Sequence, residues 1–211
     1  MATEGVAVAA ALSVPRPRPL TINLLAVFFA LSLTEDLAGG WWISLHGNNL
    51  WLEYFEGPLN AALVLWSFVP WQRSGTIRLA IRISVVLYAV ACVALILTAE
   101  RPTEFGTYSY PIQSLLILGA SAYTLVTRAR TTDEPLVRQD WFWICIGWCI
   151  GHLFTLASYP ILNSFLRAGD MHALTVATGV RIGAFGIGIL CVAVGFRAAA
   201  RSAGRTAPVP A

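Results

Sequence analysis

Residues 77–99, IRLAIRISVVLYAVACVALILTA, carry arginine at their second and sixth positions and no charge after that. A helix crossing the roughly 30 Å hydrocarbon layer of a bilayer needs about 20 such residues. Apolar runs of comparable length lie at 20–44, 50–71, 109–128, 141–164 and 172–197, which brings the expected spans to six. Between them stand SLHGNN, WQRSG, ERPTEFG, TTDEP and RAGD, segments of glycine, proline or charge that break a helix. The fifth run opens DWFWICIGW, with the rings expected of a helix end anchored at a membrane interface.

The rest of the composition agrees with this reading. Of the 211 residues, 57% are hydrophobic and 12% charged, with a mean hydropathy of +0.68. Soluble domains are about a quarter charged. The expected fold is therefore all-α: one polytopic integral-membrane helical bundle over 20–197, flanked by disordered cytoplasmic tails at 1–19 and 198–211. The first tail begins acidic and ends in an Arg-Pro spacer, the reverse of the charge order in a signal peptide.

All 14 basic residues are arginine, which excludes a lysine Schiff base and with it a retinal protein. Three histidines are too few for a histidine-rich di-iron site. Cys92, Cys145, Cys149 and Cys191 all lie in apolar runs and read as buried free thiols, since Cys145 and Cys149 are not spaced as CxxC. Neither a metal nor another cofactor is expected. The expected partners are the bilayer and a hydrophobic small molecule, not nucleic acid.

Arginine also sets the expected orientation. With the N-terminus inside, eleven arginines fall on the cytoplasmic side, and Arg101, Arg167 and Arg181 on the other. This bias, and the even number of spans, place both termini in the cytoplasm of a multi-pass plasma-membrane protein. The acids run the other way. Glu35, Asp36, Glu53, Glu56, Glu100, Glu104 and Asp170 fall in the outer half, against Glu4, Asp133, Glu134 and Asp140 inside. The positive-inside rule does not demand that asymmetry.

Charges within lipid are costly and usually face a bundle interior, so those inside the spans are the functional candidates. In HGNNLWLEYFEGPLN, residues 46–60, Glu53, Glu56 and Asn60 lead on to Ser67 at spacings of 3, 4 and 7, one stripe of a helix. Glu35 and Asp36 interrupt the first span. Asp36 lies roughly 8–10 Å below an interface marked by Trp41 and Trp42, or, if the helix ends at Thr34 ahead of Gly39-Gly40, both acids begin a loop. Trp148, His152, Thr155 and Tyr159 share a face of the fifth span, where Pro160 is expected to bend the outer end. Arg181 sits roughly 13 Å inside the sixth and needs a carboxylate partner or an anionic ligand. Gly179, Gly183, Gly186 and Gly188 make one wall of that helix small enough for close approach. Gln113, with Tyr110, Ser114 and Ser121, adds milder polar groups from the fourth span.

Together these describe a cavity holding carboxylates, one arginine and one histidine, walled by Trp41, Trp42, Trp51, Tyr54, Phe55, Trp66, Trp148 and Tyr159. Carboxylates and ring faces both favour a cation. A carboxylic acid in an apolar pocket is held protonated by burial and can act as a general acid. Protonating an alkene or opening an epoxide would then start a cyclisation with water kept out.

The segment LWLEYFEGPLNAALVLWSF, in a small all-helical membrane chain, resembles the integral-membrane terpene cyclases of meroterpenoid and indole-terpenoid pathways. The resemblance implies protonation by an early acid, Glu53 or Glu56 in this chain. It implies a second acid near the last helix, where Arg181 stands instead. LWLEYFEG is also similar to the sterol isomerase and emopamil-binding group, which performs acid–base chemistry on a membrane-dissolved alkene. The expected function is thus a non-metal terpene cyclase acting on a linear polyprene or its epoxide. Glu56, Glu53, Asp36, Arg181 and His152 are its expected catalytic groups, and Glu35, Asn60, Gln113 and the rings contact substrate. The alternative is a transporter or ligand-binding membrane protein for a cationic or amphipathic compound.

Overall fold

In a computed structural model, the structure describes residues 2–46, 49–100 and 106–206, without the side chains of Glu53 and of 204–206. Every long element in it is an α-helix. These are α1 (Ala2–Leu12), α2 (Leu20–His46), α3 (Leu50–Phe68), α4 (Gly75–Thr98), α5 (Ser109–Ala129), α6 (Asp140–Ala168) and α7 (Met171–Thr206), with short 3₁₀ turns at Val69–Trp71 and Leu136–Arg138.

Helices α2 to α7 coincide with the six expected apolar runs. Four of them, α2, α4, α6 and α7, are long and apolar enough to cross a membrane, with mean hydropathies of 1.6, 2.5, 1.4 and 2.0. Helix α5 is not among those four, for a reason that the packing makes plain. On α5, Gln113, Ser114, Ser121 and Thr124 are all buried in the bundle. On α4 the apolar side chains face out, Leu97 at 78% and Leu87 at 63% exposure. Polar groups inside and aliphatic groups outside is the arrangement lipid selects.

Helix α6 packs along α7 and α5, α3 bridges α2, α4 and α5, and α4 touches only α3, α5 and the turn after α3 among the principal contacts. Lipid gives helices little hydrophobic reason to associate, so close packing has to come from small residues. At Gly147 an added Cβ would collide with the Gly188 carbonyl oxygen, and at Gly188 it would lie 2.5 Å from the Gly147 oxygen. Gly151 and Gly195 extend the contact, with Phe185 and Ile144 lying over them. Of the four α7 glycines expected to form the small wall, only Gly188 meets another helix at that range. Gly179 and Gly183 meet nothing within 4 Å, and Gly186 faces Thr3. An aromatic core backs this seam, with Trp148 stacked on Phe29 at 6.0 Å and edge-on to Phe28 at 5.2 Å.

The ends of the helices are specified locally. Gly169 takes φ 71 at the end of α6, a left-handed conformation that glycine adopts at little cost, and its N–H donates to the Leu166 carbonyl. Asp170 then accepts from the Ala173 N–H at 2.9 Å, capping the start of α7. Glu100 is buried and accepts from the backbone N–H groups of Tyr108 (2.5 Å) and Ser109 (2.9 Å), a carboxylate placed at the positive end of α5. Glu100→Ala strands both donors and is expected to cost about 2 kcal/mol, read as a lower midpoint in thermal denaturation of the detergent-solubilised protein. A midpoint unchanged within error would remove the cap from the account.

Two expectations are corrected. Residues 2–12 are not a disordered tail but a helix, with Ala7 and Ala11 fully buried against α2 and α7. A run of small side chains lets an 11-residue helix lie close on its neighbours. The chain after 197 is helical too, because α7 continues to Thr206; residues 207–211 lie outside the described residues. Of the two readings of the first span, the structure has the continuous one: α2 runs through Gly39-Gly40 to His46, so Glu35 and Asp36 are helical residues. Helix α6 runs from Asp140 to Ala168 with Pro160 inside it.

Candidate functional site

A cavity of about 600 Å³ opens between α2, α3, α5, α6 and α7, with the first turn of α1 at its edge. Helical spacing decides what enters it. On α3, Leu52, Glu56, Asn60 and Val64 follow one another every four residues and line the cavity. On α6, His152, Thr155 and Tyr159 do the same at spacings of 3 and 4. Helix α2 contributes Phe28, Ser32, Glu35 and Asp36, α5 contributes Tyr110, Gln113 and Ile117, and α7 contributes Arg181, Ile182, Phe185 and Gly186.

The expected site residues Glu35, Asp36, Glu56, Asn60, Gln113, His152, Tyr159 and Arg181 are thus brought together from five helices. Asn60 Nδ2 donates to Glu35 Oε2 at 3.4 Å, which ties α3 to α2 across the cavity. Arg181 Nη1 donates to Tyr159 Oη at 2.6 Å, and its guanidinium lies 4.8 Å from the centre of the same ring. That ring stacks on Tyr110 at 4.4 Å with 8° between planes. Gln113 Oε1 accepts from Tyr88 Oη at 3.3 Å.

His152 is 5% exposed, and its Nδ1 lies 3.3 Å from Ser114 Oγ. Among the described residues its Nε2 meets no hydrogen-bond partner, and His152 lines the cavity. If Ser114 donates to Nδ1, Nε2 carries the proton and offers a donor; if Nδ1 donates to Ser114, Nε2 is an acceptor. Asn60 Oδ1 is also without a partner. Buried polar atoms left in this state are costly unless something meets them, and a ligand in the cavity would.

The expected aromatic wall is largely corrected. Phe55 and Trp66 stand exposed at 73% and 47%, because the helical rotation carries them off the stripe of α3 that holds Glu56 and Asn60. Trp51 packs edge-on to Trp42 and Phe55 and does not line the cavity, nor do Trp41 and Trp42, and Tyr54 is buried elsewhere. Trp148 belongs to the core with Phe28 and Phe29. The rings that do line the cavity are Phe28, Tyr110, Tyr159 and Phe185. Ser67, expected on the acidic stripe, is buried against α2, its carbonyl accepting from Thr21 at 2.8 Å. The side chain of Glu53 lies outside the described residues.

Sequence reasoning missed Thr3 and Glu4 on α1 and Phe28, Ser32, Ile182 and Phe185. Glu4, assigned to the side opposite the other acids, lines the same cavity as Glu35, Asp36 and Glu56. Tyr159→Phe keeps the stacked ring and removes the acceptor for Arg181, which is expected to cost about 1 kcal/mol. Tyr159→Ala also empties a buried ring site and is expected to cost at least about 3 kcal/mol. Equal thermal shifts for the two variants would show that the ring contributes nothing.

The four thiols are free, Cys92 and Cys145 buried and Cys149 and Cys191 partly so. Among the described residues no three His, Cys, Asp or Glu side chains gather as a metal-binding group. No family model, curated protein or solved structure matches the chain.

Proposed function

We propose that the protein is a membrane-embedded acid–base enzyme of the terpene cyclase kind, which protonates a lipid-soluble linear polyprene or its epoxide. The observation that carries this reading is the meeting of Glu35, Asp36 and Glu56 with the Tyr110–Tyr159 pair and Phe28 in one cavity of about 600 Å³. A carboxylic acid there is the proton source, the ring faces stabilise the cation that follows, and apolar walls such as Val64, Ile117 and Ile182 limit quenching by water. Arg181, held by Tyr159, offers charge stabilisation to an oxygen atom released by epoxide opening. Unpartnered His152 Nε2 is suited to take or return a proton.

In this reading all six helices α2 to α7 cross the plasma membrane, with the start of α2 and the C-terminus on the cytoplasmic side. The eleven-to-three partition of arginine supports that orientation. The cavity then opens toward the outer side, since Asn49 and Leu52, next to the turn between α2 and α3, belong to its lining.

A second reading has its own observation. Among the described lining residues Glu4, Glu35, Asp36 and Glu56 stand with one arginine, Arg181, a balance that also suits binding or transport of a preformed amphipathic cation. The deciding experiment incubates membranes containing the protein with linear prenylated and epoxidised substrates and analyses the products. A cyclised product absent from control membranes supports the enzyme. Proteoliposome uptake of a non-reactive cationic analogue without any cyclised product would replace the enzyme reading with the transporter.

A further inference from the structure

Helix α1 is 11 residues long, about 16 Å, and so reaches only part-way across a bilayer. It is nonetheless wedged between α2 and α7, with Ala7 and Ala11 fully buried and Val14 at 2% exposure. Its first turn reaches the cavity, where Thr3 and Glu4 join the lining. A Cβ added at Gly186 would lie 3.6 Å from Thr3 Cγ2, so α1 begins close to the midpoint of the 36-residue α7. Its other end is tied down. Arg18 donates through Nε to the Val14 carbonyl (2.9 Å) and through Nη2 to that of Leu12 (2.8 Å), while Ser13 Oγ donates to the Ala10 carbonyl. These bonds meet carbonyls that the end of a helix leaves open. At the start, Glu4 in the first turn answers the positive end of the helix.

We propose that α1 is a half-span helix forming the floor of the cavity, and that Glu4 is one of the carboxylates facing the ligand. Seated, α1 fills the gap between α2 and α7 and completes the site with a charge from a part of the chain otherwise outside the bundle. The role of Glu4 toward a ligand rests on reading the cavity as a binding site. The closure does not depend on which chemistry takes place there.

The test uses the full chain in membranes with its four native cysteines replaced. Thr3→Cys with Gly186→Cys puts a thiol close to where Thr3 Cγ2 now lies 3.6 Å from an added Gly186 Cβ, and copper–phenanthroline oxidation is expected to cross-link most of the chain. Thr3→Cys with Gly179→Cys, about two helical turns away, is expected to remain reduced. Absence of the Thr3–Gly186 cross-link, or equal cross-linking of both pairs, would overturn the placement of α1. Closure is read separately from a cavity thiol, Ser32→Cys, with a membrane-impermeant maleimide added on the side of the C-terminus. Deleting residues 2–13, or introducing Gly186→Phe where the deleted chain is not recovered folded, is expected to raise the labelling rate at least tenfold. An unchanged rate would show that α1 closes nothing. Neither readout uses catalysis, so loss of the cyclase reading would leave this result standing, and the reverse also holds.

Discussion

Gly188→Leu is expected to cost at least about 3 kcal/mol and to lower the thermal midpoint by about 6–12 °C. A Cβ at position 188 would already lie 2.5 Å from the Gly147 carbonyl oxygen and 3.3 Å from the Gly151 nitrogen. The obstruction is backbone, which has no rotamer to move to, so α6 and α7 must separate. Separation also pulls Phe185 off Gly151 and disturbs the register of Tyr159 and Arg181, whose hydrogen bond crosses the same pair of helices. Gly183→Leu supplies the comparison. It makes the same chemical change five residues earlier, where a Cβ meets nothing within 4 Å, and is expected to shift stability by no more than about 0.5 kcal/mol. Midpoints from intrinsic tryptophan fluorescence in detergent check the pair. Similar effects at both positions would mean that the Gly147–Gly188 contact does not hold the bundle together.

Glu35→Gln, Asp36→Asn and Glu56→Gln are expected to divide unequally if the site is a protonating enzyme. An amide matches the carboxyl group in size but cannot deliver its proton. The one acid that starts the reaction should therefore lose about 10²- to 10⁴-fold in turnover, while the other two change it by less than tenfold. Glu35 and Glu56 lie on facing helices, linked through Asn60, which binds Glu35 and follows Glu56 by one turn. Charge removal at a site that only binds a cation would instead weaken binding by similar, modest factors at each acid, since each acts at a distance through the same field. Glu53→Gln belongs in the series because the terpene cyclase resemblance implies Glu53 or Glu56 as the early acid. An unchanged product profile in all four variants would end the acid assignment.

Much of the fold was legible in the sequence because membrane burial acts on long contiguous runs. The six apolar segments at 20–44 through 172–197 fall on α2 to α7, since a run that long with so few charges has few folds open to it. The polar members of the site were legible for a related reason. Glu56 with Asn60, and His152 with Thr155 and Tyr159, recur at helical spacing inside apolar runs, where polar groups are costly and therefore conspicuous.

Rings carry no such signal. Phe55 and Trp66 are apolar on either side of α3, so their direction follows from the rotation of that helix, which Glu56, Asn60 and the contacts to α2 and α5 set. The glycines of α7 are alike in sequence, and only the presence of Gly147 opposite Gly188 distinguishes that one from Gly183. Helix α1 was the largest omission: eleven residues are too few for a span, and its burial depends on a gap between two helices that start at residues 20 and 171. Composition and periodicity by themselves determined an all-helical chain suited to a membrane, with polar stripes turned inward. Which stripes meet, which rings face them and what closes the floor were decided by tertiary packing, because those outcomes depend on contacts between helices far apart in the chain.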